Sequence, residues 1–358
     1  MTVPLYDISV REQECKLRIT DAINKVIESG QLILGEEVQN FEQRWAGYCG
    51  YKYAVGVNSG TSAIEAAVRS HNFSRDSKII VPVNTYSATA MAVCNAGCTP
   101  IFADCNENYV VDPEKVKEIL ENNENVSGII PVHLYGIPAD ILQINRIVER
   151  HNLVVIEDAA QSHGLSIPCK NDKIFSFFPT KNLGAVGDGG CVVTDSKERA
   201  LWIEKWRNQG RITGDPINHE IIGTNSRLDT IQAAVLDIKL DYLDAWNKCR
   251  SNNARIYNEL LSGSNVVLPP DGVFHFYVIR VRNRDNVIRS LKNKGIGCSI
   301  HYPTPLHLQE AFRYLGYKKG DFPLAEKFST EILSLPMSPY LDPEEIKTVC
   351  SDILEGSQ

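Results

Sequence analysis

The stretch YAVGVNSGTSAIEAAVRS, residues 53–70, decides the fold. Its first five residues form a short apolar run typical of a strand, and residues 62–70 have the pattern of a helix. A turn that contains Gly60 joins the two segments. Because a strand that turns directly into a helix is the first half of a βαβ unit, a parallel sheet is expected if the pattern recurs.

The same alternation of strand and helix recurs downstream. Apolar runs precede helical patterns in KIIVP (78–82) and SATAMAVCNAG (87–97), TPIFAD (99–104) and PEKVKEILENN (113–123), and SGIIPVHLY (127–135) and ADILQINRIVERH (139–151). Three more apolar runs follow: LVVIEDAA (153–160), KIFSFF (173–178) and GCVVTD (190–195). The alternation predicts an α/β fold whose mainly parallel mixed sheet is sandwiched between helices.

The chain changes character after Thr224. Residues 229–261 have helical periodicity throughout, which predicts one long helix that connects two domains. Apolar runs, a PPDG turn and further helical patterns follow, including FHFYVIRV (274–281) and IGCSI (296–300). We predict a large domain of residues 1–245, N-terminal helices included, and a smaller α+β domain of residues 246–358.

Composition excludes several classes of function. The chain has 358 residues and a formal net charge of −7, which argues against a protein that coats nucleic acid or anionic lipid. No apolar run approaches the ~20 residues of a membrane helix, and no secretory leader is recognisable. The ten cysteines lack the spacing of a disulfide framework or a metal site. We therefore expect a cytoplasmic protein without a metal.

Polar residues follow several of the predicted strands. Ser59 to Ser62 lie where the first strand meets its helix, which fits either a phosphate site or a plain N-cap. Glu157 and Asp158 end another strand, where a carboxylate can bind a metal, transfer a proton or pair with a ligand cation. Strand side chains alternate between faces, so we expect only one of these two acids to reach the site.

A lysine, a serine and a tyrosine complete the set. Lys181 stands in FSFFPTKNLGAVGDGG (175–190), five residues after Ser176, and Tyr86 follows another strand. A phosphate cradle, an aromatic face, a carboxylate and an amine are what pyridoxal 5′-phosphate requires. The amine forms the Schiff base with the aldehyde, and the carboxylate keeps the pyridine nitrogen protonated.

With these motifs the sequence resembles the DegT-type sugar aminotransferases, pyridoxal-phosphate enzymes of the aspartate-aminotransferase fold. The resemblance covers nearly the whole chain. It rests on motifs that occur in the expected order: residues 30–67, VVIEDAAQSHG (154–164), SFFPTKNLGAVGDGG (176–190) and GTNSRLDTIQAAVL (223–236).

The resemblance implies a role for each matching residue. Lys181 carries the cofactor, Asp158 faces the pyridine nitrogen, and Gln161 faces the ring hydroxyl. Tyr86 stacks on the ring. The phosphate is bound by a set of amides and polar side chains: Gly60, Thr61, Ser62, Ser176 and Asn225. Asn225 comes from the neighbouring subunit, so the resemblance also implies a homodimer with shared active sites.

The sequence departs from the family pattern at two positions. Ser62 stands where many relatives have aspartate, and Phe178 stands where tyrosine is common. Position 181 keeps lysine, whereas family members that dehydrate ketosugars have histidine there. Transamination is therefore the favoured chemistry, with a pyridoxal-phosphate-dependent dehydratase as an alternative.

The C-terminal segment, residues 295–339, resembles the branch that aminates nucleotide-linked 3-keto sugars. By that analogy His301 and Tyr302 border the hexose, and Arg211 and Arg227 are candidates for binding the pyrophosphate. The implied reaction moves an amino group from L-glutamate to C3 of a dTDP- or UDP-linked keto-deoxysugar, through pyridoxamine 5′-phosphate. Two alternative functions are amination at C4 of the sugar and a non-catalytic regulatory role in which the protein retains the cofactor.

Overall fold

A computed structural model describes residues 2–6, 8–212, 214–215 and 217–356. Within these residues one sheet of seven strands has the order β1-β7-β6-β5-β4-β2-β3. The strands are β1 (Tyr53–Val57), β2 (Lys78–Pro82), β3 (Thr99–Ala103), β4 (Val126–Ile129), β5 (Val154–Asp158), β6 (Asp172–Ser176) and β7 (Gly190–Thr194). β7 pairs antiparallel with both of its neighbours, and the remaining pairs are parallel. The predicted mainly parallel mixed sheet is confirmed.

Helices follow or flank these strands. The helices that accompany the large sheet are α1 (Ile8–Ser29), α2 (Glu36–Cys49), α3 (Gly60–Ser70), α4 (Ser87–Asn95), α5 (Pro113–Asn122), α6 (Ile141–Glu149), α7 (Lys197–Arg207) and α8 (Thr230–Leu240). They are followed by α9 (Leu243–Leu261), α10 (Arg284–Asn293), α11 (Pro323–Glu331) and α12 (Pro343–Gly356). Asp112 caps α5 by accepting a hydrogen bond from the Glu114 amide, with Pro113 in the first turn.

The prediction of one helix over residues 229–261 is wrong. α8 ends at Leu240 and α9 begins at Leu243, and the amide of Tyr242 bonds to the carbonyl of Lys239 in a tighter turn. α8 packs against α1 and α2, whereas α9 packs against α12. The chain therefore changes direction between two different packing partners, which helical periodicity alone does not reveal.

Two of the apolar runs form less regular structure than their length suggests. In the run 127–135 the strand is β4, Val126–Ile129, which begins one residue before the run, and a 3₁₀ turn begins at Leu134. The IGCSI run, 296–300, contributes isolated bridges at Ile296 and Ser299. Ile296 bridges to Val3 and Ser299 bridges to Ser334, so the run pairs with two different segments and forms no continuous ladder.

A second, two-stranded sheet lies in the C-terminal part of the chain. It consists of β8 (Tyr277–Arg280) and β9 (Ile332–Leu335), which pair antiparallel over a separate apolar core. The N-terminal segment joins this core: the Val3 amide bonds to the Gly295 carbonyl at 3.1 Å, and the Gly297 amide to the Val3 carbonyl at 2.7 Å. The boundary at residue 245 stays a prediction.

The sheet brings the carboxyl ends of its parallel strands together. β1 also runs in this direction, because it is antiparallel to β7 and β7 is antiparallel to β6. Ligands of open α/β sheets bind beyond this edge. In the described part of the chain no helix is long and apolar enough to cross a membrane, no disulfide forms, and no cluster of His, Cys, Asp or Glu is placed to hold a metal.

Candidate active site

A cavity of about 480 Å³ opens at the carboxyl edge of the sheet. It is lined by most of the residues that the sequence predicted: Gly60, Thr61, Tyr86, Asp158, Gln161, Ser176, Lys181, His301 and Tyr302. Ser62 and Asn225 are absent from the lining, and Asn225 is exposed and bridged through its backbone to Asn208. Residues that are far apart in the sequence therefore line the same cavity in the folded chain.

The two candidate arginines lie elsewhere. Arg211 lines a different cavity of about 500 Å³, beside Lys205 and Arg207. Arg227 donates to the side chain of Asn208 at 3.2 Å. Within a single chain, neither arginine borders the cavity that contains Lys181.

The N-terminus of α3 forms one wall of the cavity. A Cβ on Gly60 would lie 2.7 Å from that of Ser176, and a Cβ on Gly190 would lie 2.3 Å from the Ser59 carbonyl oxygen. Glycine at both positions therefore lets the turn approach β6 and β7 closely. The Ser59 hydroxyl accepts the amide of Ser62 at 3.1 Å as an N-cap. The phosphate role predicted for Ser62 stays a prediction, and Gly60 and Thr61 supply the first-turn residues that line the cavity.

Asp158 is buried at the end of β5. Its carboxylate accepts hydrogen bonds from the Thr89 hydroxyl at 2.9 Å and from the Ala160 amide at 3.1 Å. Burial raises the pKa of Asp158, and these hydrogen bonds and the charge of Lys181 oppose the rise. The carboxylate is therefore held in one orientation, in which it can form an ion pair with a positively charged group in the cavity.

Glu157 points away from the cavity and is fully buried behind β5. Its carboxylate contacts His133 Nε2 at 3.0 Å, Lys173 Nζ at 3.1 Å and Asn171 Nδ2 at 3.0 Å. The Ala139 amide donates to Nδ1 of His133, so that imidazole is neutral and donates to Glu157 through Nε2. The His133 amide also donates to the Asp158 carbonyl at 3.0 Å. His133 thereby fixes both acidic residues of β5.

Lys181 lies in the loop that leaves β6. Its amide donates to the Phe178 carbonyl at 2.9 Å, which closes a tight turn and brings both side chains to the cavity. Burial lowers the pKa of Lys181 to about 8, while the charge of Asp158 acts in the opposite direction. The amine is therefore partly neutral near physiological pH and suited to nucleophilic attack and proton transfer.

A polar wall faces Lys181 from the C-terminal part of the chain. The Gln161 carbonyl oxygen accepts the Tyr135 amide at 2.6 Å, so its amide nitrogen donates to the Tyr302 hydroxyl at 3.1 Å. The ring centroids of Tyr302 and Tyr86 are 5.5 Å apart. Gln161 thus joins the sheet to the predicted substrate wall.

His301 is held from several sides. Its ring stacks on Phe276 with centroids 4.0 Å apart, and its nitrogens contact the Ser334 hydroxyl at 2.8 Å and the Tyr6 hydroxyl at 3.2 Å. Burial lowers the pKa of His301 to about 4, so the imidazole is neutral at physiological pH.

Sequence reasoning missed several residues of the cavity. Tyr6, Thr89, Asp188, His275 and Phe276 line it, and none of them was assigned a role, although Asp188 lies within the motif 176–190 that contains Lys181. Folding brings them from an N-terminal segment, a helix and two loops. A signal for Thr89 existed, because it lies in the first turn of α4, which begins directly after Tyr86.

The donor set fits pyridoxal 5′-phosphate. One cavity contains a lysine with a lowered pKa, a buried carboxylate, an aromatic side chain and a helix N-terminus beside serine and threonine. A model of the DegT/DnrJ/EryC1/StrS aminotransferase family matches residues 13–354. The chain belongs to this family.

Named relatives of the family are similar along their whole length. A "pleiotropic regulatory protein" of Geobacillus stearothermophilus is 40% identical, over 99% of this chain and 98% of the relative. A "dTDP-3-amino-3,4,6-trideoxy-alpha-D-glucose transaminase" of Streptomyces venezuelae is 38% identical, over 99% of this chain and 96% of the relative. The relatives of this chain therefore include one named as a regulatory protein and one named as a transaminase.

Solved structures of the family share the fold. The crystal structure of S. venezuelae DesV in complex with a ketimine intermediate has a TM-score of 0.96 and 38% identity, and the match covers 100% of this chain and 99% of DesV. The structure of NtdA from Bacillus subtilis with bound cofactor PMP has a TM-score of 0.91 and 28% identity, covering 99% of this chain and 85% of NtdA.

Proposed function

We propose that this protein is a pyridoxal-phosphate-dependent aminotransferase that aminates C3 of a nucleotide-linked (dTDP or UDP) keto-deoxysugar, with L-glutamate as the amino donor. One observation carries the proposal: Lys181 and Asp158 line the same cavity in a chain of an aminotransferase family. The DesV complex and the 3-amino sugar transaminase, both 38% identical over nearly the whole chain, support the reaction and its position.

The cofactor is pyridoxal 5′-phosphate, with pyridoxamine 5′-phosphate as the form that holds the amino group between half-reactions. Bound in the cavity, it supplies the electron sink for moving an amino group between carbon atoms. Lys181 would hold its aldehyde, Asp158 its ring nitrogen and Gln161 its ring hydroxyl. Gly60, Thr61 and Ser176 would bind the phosphate at the N-terminus of α3.

The residues of this chain move protons and orient the substrates. Lys181 Nζ would take the proton from the carbon that bears the amine and return it to the carbon on the other side of the nitrogen, as its lowered pKa allows. Asp158 stays ionised beside a cation and keeps that cation in place. The Tyr302 hydroxyl would orient the sugar through a hydrogen bond, and the ring of His301 would border the hexose.

The finer part of the proposal is a homodimer. Asn225 lies outside the cavity of its own chain, while Ile217 and Ile222 on the same loop are 78% and 96% exposed. Contact with a second copy would bury these apolar side chains and carry Asn225 to the partner's phosphate site. The active sites would then be shared between subunits.

A second candidate is a regulator that retains the cofactor, which the name of the Geobacillus relative favours. A purified protein separates the two functions. An aminotransferase loses its visible cofactor absorbance when glutamate is added and recovers it with a keto sugar. A non-catalytic regulator keeps the absorbance unchanged under both additions.

The experiment that tests the proposed reaction uses the pyridoxamine form of the protein. It is incubated with 3-keto and 4-keto sugars linked to dTDP or UDP, and the products are measured by mass spectrometry. We expect a mass change from ketone to amine with a 3-keto sugar. Amination of 4-keto sugars alone would overturn the C3 assignment, and loss of water without amination would indicate a dehydratase.

A further inference from the structure

His275 is a buried histidine that lines the same cavity as Lys181. It lies two residues before β8, in a segment without a recognisable motif. Among the described residues that line the cavity, Lys181 is the one lysine or arginine. The ring of His275 therefore faces a space whose cationic group comes from Lys181.

A chain of amide hydrogen bonds fixes the tautomer of His275. Asn247 donates through Nδ2 to the His163 carbonyl at 2.8 Å, so its side-chain oxygen is an acceptor. Asn182 Nδ2 donates to that oxygen at 2.8 Å and to the Val273 carbonyl at 3.0 Å. Both amides are thus oriented by backbone carbonyls, which only accept.

The side-chain oxygen of Asn182 is therefore free to accept a hydrogen bond from His275. His275 Nδ1 lies 3.3 Å from it and carries the proton. Nε2 then carries the lone pair. In the described part of the chain Nε2 has no hydrogen-bond partner, although it is buried. An unsatisfied buried acceptor is costly, so a donor from the cavity would stabilise it.

The imidazole of His275 remains an acceptor throughout the physiological range. Burial lowers its pKa well below the usual value, and the charges of Lys181 and Arg250 lower it further. The other histidines near Lys181 are not available for this role. His301 has a partner at each ring nitrogen, and His163 does not line the cavity.

Building on the proposed function, we propose that His275 Nε2 accepts a hydrogen bond from Lys181 Nζ in the pyridoxamine form of the protein, in which the lysine is released from the cofactor. Lys181 is adjacent in sequence to Asn182, so the amine and the anchor of the ring share one backbone segment. A buried ammonium group needs hydrogen-bond acceptors. Asp158 alone does not suffice, because its carboxylate would also pair with the protonated ring nitrogen of the cofactor. His275 is thus a positioning residue that keeps the lysine in the cavity between the two half-reactions.

Two substitutions of His275 test the roles of its two ring nitrogens separately: Nε2, which faces the cavity, and Nδ1, which anchors the ring to Asn182. His275→Asn keeps a donor near Nδ1 for Asn182 and removes the acceptor at Nε2. His275→Gln places an amide oxygen near Nε2 and loses the anchoring donor. The matched control is His163→Phe, which changes a histidine that is equally buried near Lys181 but lies outside the cavity lining.

The measurement is the pKa of Lys181 in the pyridoxamine form. Full-length protein is loaded with pyridoxamine 5′-phosphate and labelled with acetic anhydride over a pH series, and the Lys181 peptide is quantified by mass spectrometry. An acceptor stabilises the ammonium form, so its loss lowers the pKa. We expect His275→Asn to lower the midpoint by about one pH unit, equivalent to about tenfold in protonation. His275→Gln and His163→Phe should stay near the wild-type midpoint.

An unchanged midpoint in His275→Asn would overturn the inference, as would an equal shift in His163→Phe. If His275→Asn does not fold, ¹⁵N-histidine NMR of the wild type gives the same decision. The Nε2 resonance should move upfield when the pyridoxal form is converted to the pyridoxamine form, and a static resonance would contradict the inference. Failure of the wild type to bind pyridoxamine 5′-phosphate would instead contradict the proposed function.

Discussion

Asp158 and Glu157 are neighbours on β5 with different surroundings, because side chains alternate along a strand. Asp158 lines the cavity and accepts bonds from Thr89 and Ala160, whereas Glu157 is closed off behind the sheet. The sequence predicted that only one of the two reaches the site. Period-two alternation is thus a reliable guide where a strand runs straight to its end.

Replacing Asp158 with asparagine tests the role of its charge. We expect Asp158→Asn to bind the cofactor with unchanged stoichiometry and to lose about 10²-fold or more in rate, since a neutral amide does not hold a cation. Single-turnover absorbance measurements report both quantities. Asp112→Asn, which exchanges one good N-cap for another on α5, serves as the control. A rate of Asp158→Asn equal to that of the wild type would contradict the proposed role of the Asp158 charge.

Replacing Lys181 with alanine tests its role as the covalent and proton-transferring group. Turnover should fall by about 10³-fold or more, because both functions of the amine are lost. The visible absorbance of the lysine-bound cofactor should disappear as well. The exposed Lys319→Ala is the control. Turnover of Lys181→Ala close to that of the wild type would rule out the role.

The sequence left other residues of the site unassigned for a physical reason. Tyr6, Asn182 and His275 act through contacts between segments far apart in the chain, and no local pattern encodes such contacts. Lys181, by contrast, was predictable because its glycine-rich turn and its strand are local. Roles taken over from the family, such as that of Asn225, remain predictions here.

At the scale of elements, the end of β5 is fixed by the buried group behind it. Glu157 pairs with Lys173 on the neighbouring strand β6 and with His133 beyond β4. Burial alone would raise the pKa of Glu157, but the bond from His133 and the charge of Lys173 together lower it. The folded state therefore favours the carboxylate.

The Glu157→Gln variant should lower the free energy of unfolding by about 3 kcal/mol, because Lys173 remains buried without a counterion. Urea unfolding measures the change. The surface pair Lys115 and Glu118, both partly exposed, provides the control, where Glu118→Gln should cost less than about 0.5 kcal/mol. An equal effect in the two variants would contradict the importance of the buried pair.

The same variant has a pH signature. The pKa of Glu157 is lower in the folded state than in the unfolded chain, where it is about 4.3. The carboxylate therefore contributes its full stabilisation of the fold above about pH 4.3, and this contribution is lost as the pH falls through the folded-state pKa. Glu157→Gln should therefore flatten the stability curve below about pH 4.3.

The strands and helices of the large sheet were predictable because each alternates cleanly with a turn. The break between α8 and α9 was not, since Asp241 and Tyr242 continue the helical pattern. Arg18 and Arg44 bind the Asp241 carboxylate at 2.7 and 2.6 Å, so the break is stabilised by residues from α1 and α2. Tertiary contacts therefore outweigh periodicity at this point.

At the scale of the whole molecule, the proposed sharing of active sites between subunits predicts that two inactive variants can restore each other. We expect Lys181→Ala and Asn225→Ala, each inactive or weak alone, to give about a quarter of wild-type activity when co-expressed as a random mixture. About half of the dimers are then hybrids, and each hybrid has one intact site.

The control for this experiment mixes Lys181→Ala with Asp158→Asn. Both residues line the cavity of the same chain, so no hybrid of these two variants contains an intact site. Light scattering of the wild type gives the number of subunits. Activity of the first mixture no greater than the sum of its components would argue against exchange of Asn225 between subunits.

The N-terminal segment of the chain contributes Tyr6 to the cavity that contains Lys181. Val3 is tied into the C-terminal core, and Tyr6 reaches from this anchored segment to the imidazole of His301. Purification handles and fusion partners are therefore better attached after α12, which packs on α9 and α10. A preparation trimmed by a protease before residue 7 would retain its sheet and lose the hydroxyl that contacts His301. If His301 borders the sugar as proposed, batches of equal purity would then differ in sugar affinity.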